Sequence, residues 1–211
     1  MDENSNLFMK EKFASKYDEL ILRQEWYGPE ILFGMIFEYI KSGELILDLG
    51  IGTGLSAVAF HRMGLKVAGL DYSSEMLKVC AHKRIAEDLK QFDLNDSPLP
   101  YPDHCFNHIS ANAILYFLAD IENLFKEIHR IIKANGIWAF IIEEHQDPSG
   151  SHILEKPAGK NGLITFRHGK QYISEILKKH AFTLLKKLEF TAANFQMEGK
   201  SVLFTLYVTK A

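Results

Sequence analysis

Three carboxylates stand at matching points of a repeating pattern. The run "LILDLG" carries Asp48 at its end, "LKVAGLD" closes on Asp71, and "EDLKQFD" closes on Asp93. Short apolar runs bounded by glycine or polar residues read as buried strands. Three strands in a row therefore deliver an acid to the same sheet edge. The first acid is followed at once by a glycine turn, with Gly50, Gly52 and Gly54 spaced two apart. From Gly52 the letters G-T-G-L-S-A fit the G-x-G-x-x-G/A dinucleotide fingerprint. A pyrophosphate at such a turn wants helix N–H groups and cations, and Asp48 beside the turn would repel it. A dinucleotide explains one acid about 20 residues after the glycines, the position of Asp71, and leaves Asp48 and Asp93 without a role. A ligand that is partly cationic, with a ribose and a base, explains all three.

The elements that position these acids alternate in type. Helix-like spacing covers residues 7–24 and 30–41, with Gly28-Pro29 opening the second helix. Leu55 to Met63 reads as a helix stopped by Gly64, and "SSEMLKVCAHK" as a helix capped by Ser73 or Ser74. "CFNHISAN" is a fourth strand. Asp120 is placed to cap "IENLFKEIHRIIKA", whose apolar residues share one face, Asn135-Gly136 ends it, and "IWAFII" follows as a fifth strand. This alternation predicts a parallel sheet covered by helices on both faces. The tail differs. After a polar, glycine-containing stretch at 144–169 comes a helix near 170–181. Two strand-like runs then follow, "FTLLKKLEF" and "SVLFTLYVT", which a short loop must join antiparallel.

Composition narrows the classes. The 211 residues suffice for one α/β domain with a real core. No run approaches the roughly 20 apolar residues of a membrane span. "MDENSN" is acidic and polar, unlike a secretory signal. Cys80 and Cys105 have no C-x-x-C partner, so neither a disulfide framework nor a cysteine zinc site is expected. A reducing cytoplasm is the expected home. His104 and His108 are four apart but straddle a loop and a strand, so no metal is expected. Net charge is −3, yet residues 151–211 carry ten Lys/Arg against four Asp/Glu. That basic part reads as a solvated helix face, with an anionic substrate or RNA as the sharper alternative.

S-adenosylmethionine matches the ligand that the acids call for: an ammonium, a sulfonium, a ribose and an adenine, with no phosphate. The chain also resembles the class I S-adenosylmethionine-dependent methyltransferases. "LILDLGIGTG", "GLDYSSEML", "FDLNDSPLPYPDHCFN", "ANAILYFLAD" and "EIHRIIKANGIWAF" stand in that family's order and spacing, over about residues 10–145. The resemblance implies a Rossmann-like α/β three-layer sandwich, with a seven-stranded, mostly parallel sheet and an antiparallel C-terminal hairpin. It implies one domain over 1–211. Residues 1–43 would be a helical cap or lid, 44–143 the cofactor core, 144–169 a substrate-side insertion, and 170–211 the closing helix and hairpin.

The resemblance also implies roles. Asp48, Gly50, Gly52 and Gly54 would surround the methionine part of S-adenosylmethionine, or of its product S-adenosylhomocysteine. Asp71 would accept both ribose hydroxyls. Tyr72 or Met76 would flank the adenine, and Asp93 would take its amino group, with Phe92 or Leu94 beside the ring. Asn112 would lie near the reacting methyl, and Tyr17, in "KYDEL", would close the site. Two positions depart from the family pattern: Ala134-Asn135-Gly136 stands where Pro-Gly-Gly is frequent, and Asn107 where Asp is frequent. Asn tolerates a left-handed turn, and Asn107 reads as structural.

Methyl transfer is an in-line displacement that needs alignment and exclusion of water. A general base is needed only for a hydroxyl or a protonated amine. His145, in "IIEEHQDP", is the first candidate, with Glu143 and Glu144 as rivals. Fold does not fix the acceptor. With no appended nucleic-acid module in view, a small molecule is expected, with RNA or a protein side chain as runner-up. Rival classes are an NAD-dependent oxidoreductase and a non-catalytic S-adenosylmethionine-binding protein.

Overall fold

Leu45–Leu49 forms β1, and its last four residues are buried because helices cover both faces of the strand. β2 (Lys66–Asp71) and β4 (Phe106–Ala111) flank it in parallel, with Asp48 opposite Gly69 on one side and Ser110 on the other. β3 (Asp88–Gln91) adds an edge beyond β2, and β5 (Ile132–Ile142) lies beyond β4. β10 (Lys200–Lys210) runs antiparallel to β5 and pairs outward with β9 (Thr183–Met197). The sheet order is thus β3-β2-β1-β4-β5-β10-β9, mostly parallel with an antiparallel C-terminal hairpin, the expected Rossmann-like arrangement. The structure is a computed structural model, and it describes residues 10–145, 153–158, 163–197 and 200–211.

Two apolar layers clamp the sheet. On one face α6 (Glu122–Ile131) lays Leu124, Phe125, Ile128 and Ile131 against Trp138 and Phe140. α7 (Lys170–Lys179) joins that layer through Ile173, Ile176 and Leu177. On the other face α3 (Gly28–Ile36) and α4 (Leu55–Arg62) bury Leu32, Ile36, Ala57 and Phe60 against Ile46, Val67 and Ile141. Ser73 caps α5 (Ser74–Lys83), its hydroxyl accepting from the amide of Met76 at 3.2 Å. Among the described residues no helix is long and apolar enough to cross a membrane.

Several boundaries depart from the periodicity. The single helix expected over 7–24 is two: α1 (Glu11–Ala14) and α2 (Tyr17–Arg23), broken at Ser15-Lys16. Leu7 and Phe8, within that expected helix, lie outside the described residues. The second expected helix stops at Ile36 and tightens into a 3-10 turn over Phe37–Tyr39. α6 begins at Glu122, whose amide donates to Asp120 Oδ1 at 2.9 Å, and it ends at Ile131 rather than at the Asn135-Gly136 turn. Asn135 adopts φ +65° there. Asn107 is structural: its Oδ1 accepts from the amide of Leu45 at 3.2 Å and from Lys133 Nζ at 2.9 Å. The largest difference is within 144–169, read from sequence as an irregular polar stretch. It contains a second sheet, β6 (Glu144–His145), β8 (Leu163–Gly169) and β7 (Ile153–Ala158), in the order β6-β8-β7.

Candidate functional site

β1 ends in the glycine turn, and the turn fixes the floor of a cavity of about 480 Å³ at the carboxyl ends of the strands. Gly50 has φ +68°, and a Cβ there would lie 2.5 Å from the Ile114 side chain. Only glycine allows both the left-handed backbone and that approach. Asp71, at the tip of β2, ties the turn down. Its Oδ2 accepts from the amide of Gly52 and its Oδ1 from the amide of Ser73, each at 2.8 Å. Burial raises its pKa, and the two amides oppose that shift. A carboxylate oxygen offers about two lone-pair sites, so each retains capacity for a ligand hydroxyl.

Around this floor the structure collects most of the residues singled out by sequence. Gly50, Gly52, Asp71, Tyr72 and Met76 line one side of the cavity. Asp93 and Leu94 line it from the loop after β3, with Phe92 and Asn95. Asp93 lies two positions beyond the strand, where its Oδ1 accepts from the amide and side chain of Asn95 at 2.9 Å each. Tyr17 and Asn112 complete the set from α2 and from the end of β4. The Tyr17 phenol is pushed up to about 12 by burial first, then by the charges of Asp71 and Asp18.

Three expected site residues do not line the cavity. Asp48 is 3% exposed and lies beneath the turn, its Oδ1 accepting from Ser110 Oγ at 2.8 Å. Burial pushes its carboxyl up to about 7; the Ser110 hydrogen bond opposes the shift and the charge of Asp71 adds to it. Gly54 precedes α4, where a Cβ would meet Ile85 and the Cys80 sulfur. His145 is buried at the end of β6, opposite Gly169 in the second sheet. Its rivals also stand outside the lining. Glu143 is bonded to Arg167 Nε at 2.5 Å, and Glu144 accepts from the Tyr207 hydroxyl, from Thr205 Oγ1 at 2.7 Å and from Lys187 Nζ at 3.2 Å. Among the described lining residues the acids are Asp71 and Asp93, and no Lys, Arg or His is present.

Other residues of the site carried no motif. Asp18 joins two elements: Thr53 Oγ1 donates to its Oδ1 and Lys83 Nζ to its Oδ2, each at 2.5 Å. It thereby straps α2 to the glycine turn and to the end of α5. Among the apolar side chains of α1–α2, Phe13, Tyr17 and Ile21 are half-buried and Leu20 is 38% exposed. A polar anchor thus works beside a partly covered apolar stripe. Farther along, Trp26 stands edge-on to Phe204 with centroids 4.9 Å apart. Gly28 lets the Trp26 ring and Asn112 Oδ1 close on its backbone, where a Cβ would lie 2.3 Å from the ring and 2.7 Å from the oxygen. Asn112 Nδ2 donates to Ser56 Oγ at 2.9 Å, while its buried Oδ1 has no partner. Ile114, Phe117, Leu118 and Ile164 form the remaining wall. The alternating run "LITFRHG", which holds Ile164, is the signal that could have revealed β8.

A carboxylate with spare acceptor capacity on a glycine turn, a second acid beyond β3 and a described lining without Lys, Arg or His fit S-adenosylmethionine better than a pyrophosphate. Comparison with known proteins agrees. Residues 47–140 match the family model described as "Methyltransferase domain". The demethylmenaquinone methyltransferase of Thermobifida fusca is 31% identical over 135 residues, 61% of this chain and 56% of that protein. The chain spans about half the length of the curated relatives it matches. Two solved structures share the fold. A Methanosarcina mazei S-adenosylmethionine-dependent methyltransferase has TM-score 0.70 at 15% identity, covering 85% of this chain and 97% of that one. The geranyl diphosphate C-methyltransferase of Streptomyces coelicolor, solved with geranyl diphosphate and S-adenosylhomocysteine, has TM-score 0.70 at 16% identity, covering 94% and 85%. The resemblance to the class I S-adenosylmethionine-dependent methyltransferases is borne out.

Proposed function

We propose that the chain is a S-adenosylmethionine-dependent methyltransferase acting on a small molecule in the cytoplasm. The observation that carries this reading is the glycine turn tied to Asp71 in a cavity whose described lining holds two carboxylates and no cation. Asp71 takes the ribose hydroxyls, and Asp93 takes the adenine amino group with Tyr72 and Leu94 beside the ring. Gly50 and Gly52 bring backbone against the methionine part, and Asp48 supplies negative charge from beneath. When bound, the cofactor supplies a methyl on a sulfonium: the acceptor's lone pair forms the new bond as the carbon–sulfur pair returns to sulfur.

This chain's residues then position the acceptor and exclude water. Tyr17 stays protonated at neutral pH, because its phenol is raised to about 12, and so serves as a donor. Asn112 Oδ1 offers the acceptor atom left over after Ser56 is satisfied. With His145, Glu143 and Glu144 outside the lining, the reading assigns no general base to them. A small acceptor is supported by the strap over the cavity and by the small molecules named for the Thermobifida and Streptomyces proteins. Lysines of the basic C-terminal part are engaged in ion pairs, Lys179 with Glu122 at 2.5 Å and Lys187 with Glu144 at 3.2 Å, which disfavours RNA. Isothermal titration tests the reading. S-adenosylmethionine or S-adenosylhomocysteine should bind in the micromolar range, about −8 kcal/mol. Heat with NAD and none with either of these would overturn it.

A further inference from the structure

The acceptor side of the cavity has a chemistry of its own. Ile114, Phe117 and Leu118 come from the segment after β4, and Ile164 comes from β8 of the second sheet. Phe117 belongs to a 3-10 turn, Leu115–Phe117, against which β8 packs. A buried hydrogen bond locks the two together: His168 Nε2 lies 3.0 Å from the carbonyl oxygen of Leu118, to which it donates. Along a strand alternate residues share a face, so Ile164 and His168 stand on one face of β8 and Arg167 on the other. The guanidinium of Arg167 is spent on Glu143, a carboxylate 7% exposed. The nearest cation of β8 is thus turned from the cavity and neutralised.

An anionic acceptor in this cavity would meet no cation among the described lining residues, so apart from the cofactor's own sulfonium its charge would have no partner there. Burying a charge without a partner is costly. We infer that the acceptor is an uncharged molecule with an apolar body, held against Ile114, Phe117, Leu118 and Ile164, and that β8 is the element that selects it. The inference rests on the methyltransferase reading above, and its test separates the two.

The full chain is first titrated with S-adenosylhomocysteine; absence of binding defeats the methyltransferase reading itself. The protein saturated with S-adenosylhomocysteine is then titrated with 1-naphthol and with 1-naphthyl phosphate, which differ in charge on a common apolar body. Naphthol should bind at least about tenfold more tightly. Ile164→Arg, at a position 48% exposed and so tolerant of substitution, should weaken naphthol and strengthen naphthyl phosphate. Leu184→Arg, an equally exposed leucine on β9, should change neither. The inference is overturned if the phosphate binds as well as naphthol, if neither probe binds, or if naphthol ignores Ile164→Arg or responds equally to Leu184→Arg.

Discussion

One wall of the cavity, built by the tips of β1 and β2 and the loop after β3, is held by backbone: Asp71 grips two amides, and Gly50 and Gly52, which line it, have no side chains to move. The facing wall, built by the segment after β4 and by β8, is held by packing and one histidine–carbonyl bond. The first wall needs particular residues at particular positions. The second needs only apolar bulk. A fold can therefore keep one ligand on the first wall while the second is free to change with the acceptor.

The largest expected effect falls on the polar wall. Asp71→Ala removes the acceptor proposed for the two ribose hydroxyls and strands the amides of Gly52 and Ser73. Charge-assisted bonds of this kind are worth roughly 1.5–3 kcal/mol, so S-adenosylhomocysteine should bind about 10- to 150-fold more weakly by titration. Ile164→Arg should leave that constant almost unmoved. An unchanged constant in folded Asp71→Ala protein would break the contrast between the walls.

A second effect follows from Asp48. Its carboxyl, raised to about 7, is largely protonated below that pH in the free protein. A cationic ligand favours the carboxylate, so binding expels the proton and affinity rises with pH. S-adenosylmethionine should bind about tenfold more tightly at pH 8 than at pH 6, and Asp48→Asn should flatten the profile. The same group acts on stability with a fixed sign. Its folded pKa exceeds the unfolded value of about 3.9. Its contribution is full below that value and is lost as pH rises through 7, so melting curves of the ligand-free protein should show Asp48→Asn recovering stability at pH 8. Naphthol, on the apolar wall, should show no such dependence.

The smallest effect concerns the strap. Asp18→Asn weakens a half-exposed ion pair, for which about 1 kcal/mol is the upper range. Cofactor affinity should fall by less than about fivefold. Amide exchange gives the clearer signal: residues 17–23 should exchange fast in the free protein, gain protection with S-adenosylhomocysteine, and lose part of that gain in Asp18→Asn. Equal protection with and without ligand would make α2 a fixed scaffold and remove the lid role from Tyr17.

The same contrast explains what was legible in the sequence. Asp71, Gly50 and Gly52 were legible because a strand end, a positive φ and an acid leave fixed marks at fixed spacing. The parallel sheet and its closing hairpin were legible for the same reason. His145 was misjudged because its position after the fifth strand suggested the ligand edge, whereas it pairs into a sheet the sequence did not announce. β8 went unread because its neighbourhood is polar and rich in glycine, and strand signals depend on tertiary context. Asp18 was seen only as a companion of Tyr17; its bonds to Thr53 and Lys83 span 35 and 65 positions, beyond any local pattern.

The aromatic seat of Trp26 bears on the order in which the molecule can assemble. Trp26 rests on Phe204 of β10 and approaches Phe190 of β9, and nearby Lys186 Nζ donates to the carbonyl of Met35 at 2.9 Å. These loops span most of the chain, and closing them costs entropy before any contact repays it. Trp26 and the end of α3 thus reach this seat only once the hairpin of β9 and β10, far away in sequence, has formed. The strap itself does not wait for β10, because Asp18 holds α2 on Thr53 of the glycine turn and on Lys83 at the end of α5. The frame of β1, β2 and β4 rests on shorter loops and can form first, while the aromatic seat of Trp26 is completed only when β9 and β10 join the sheet.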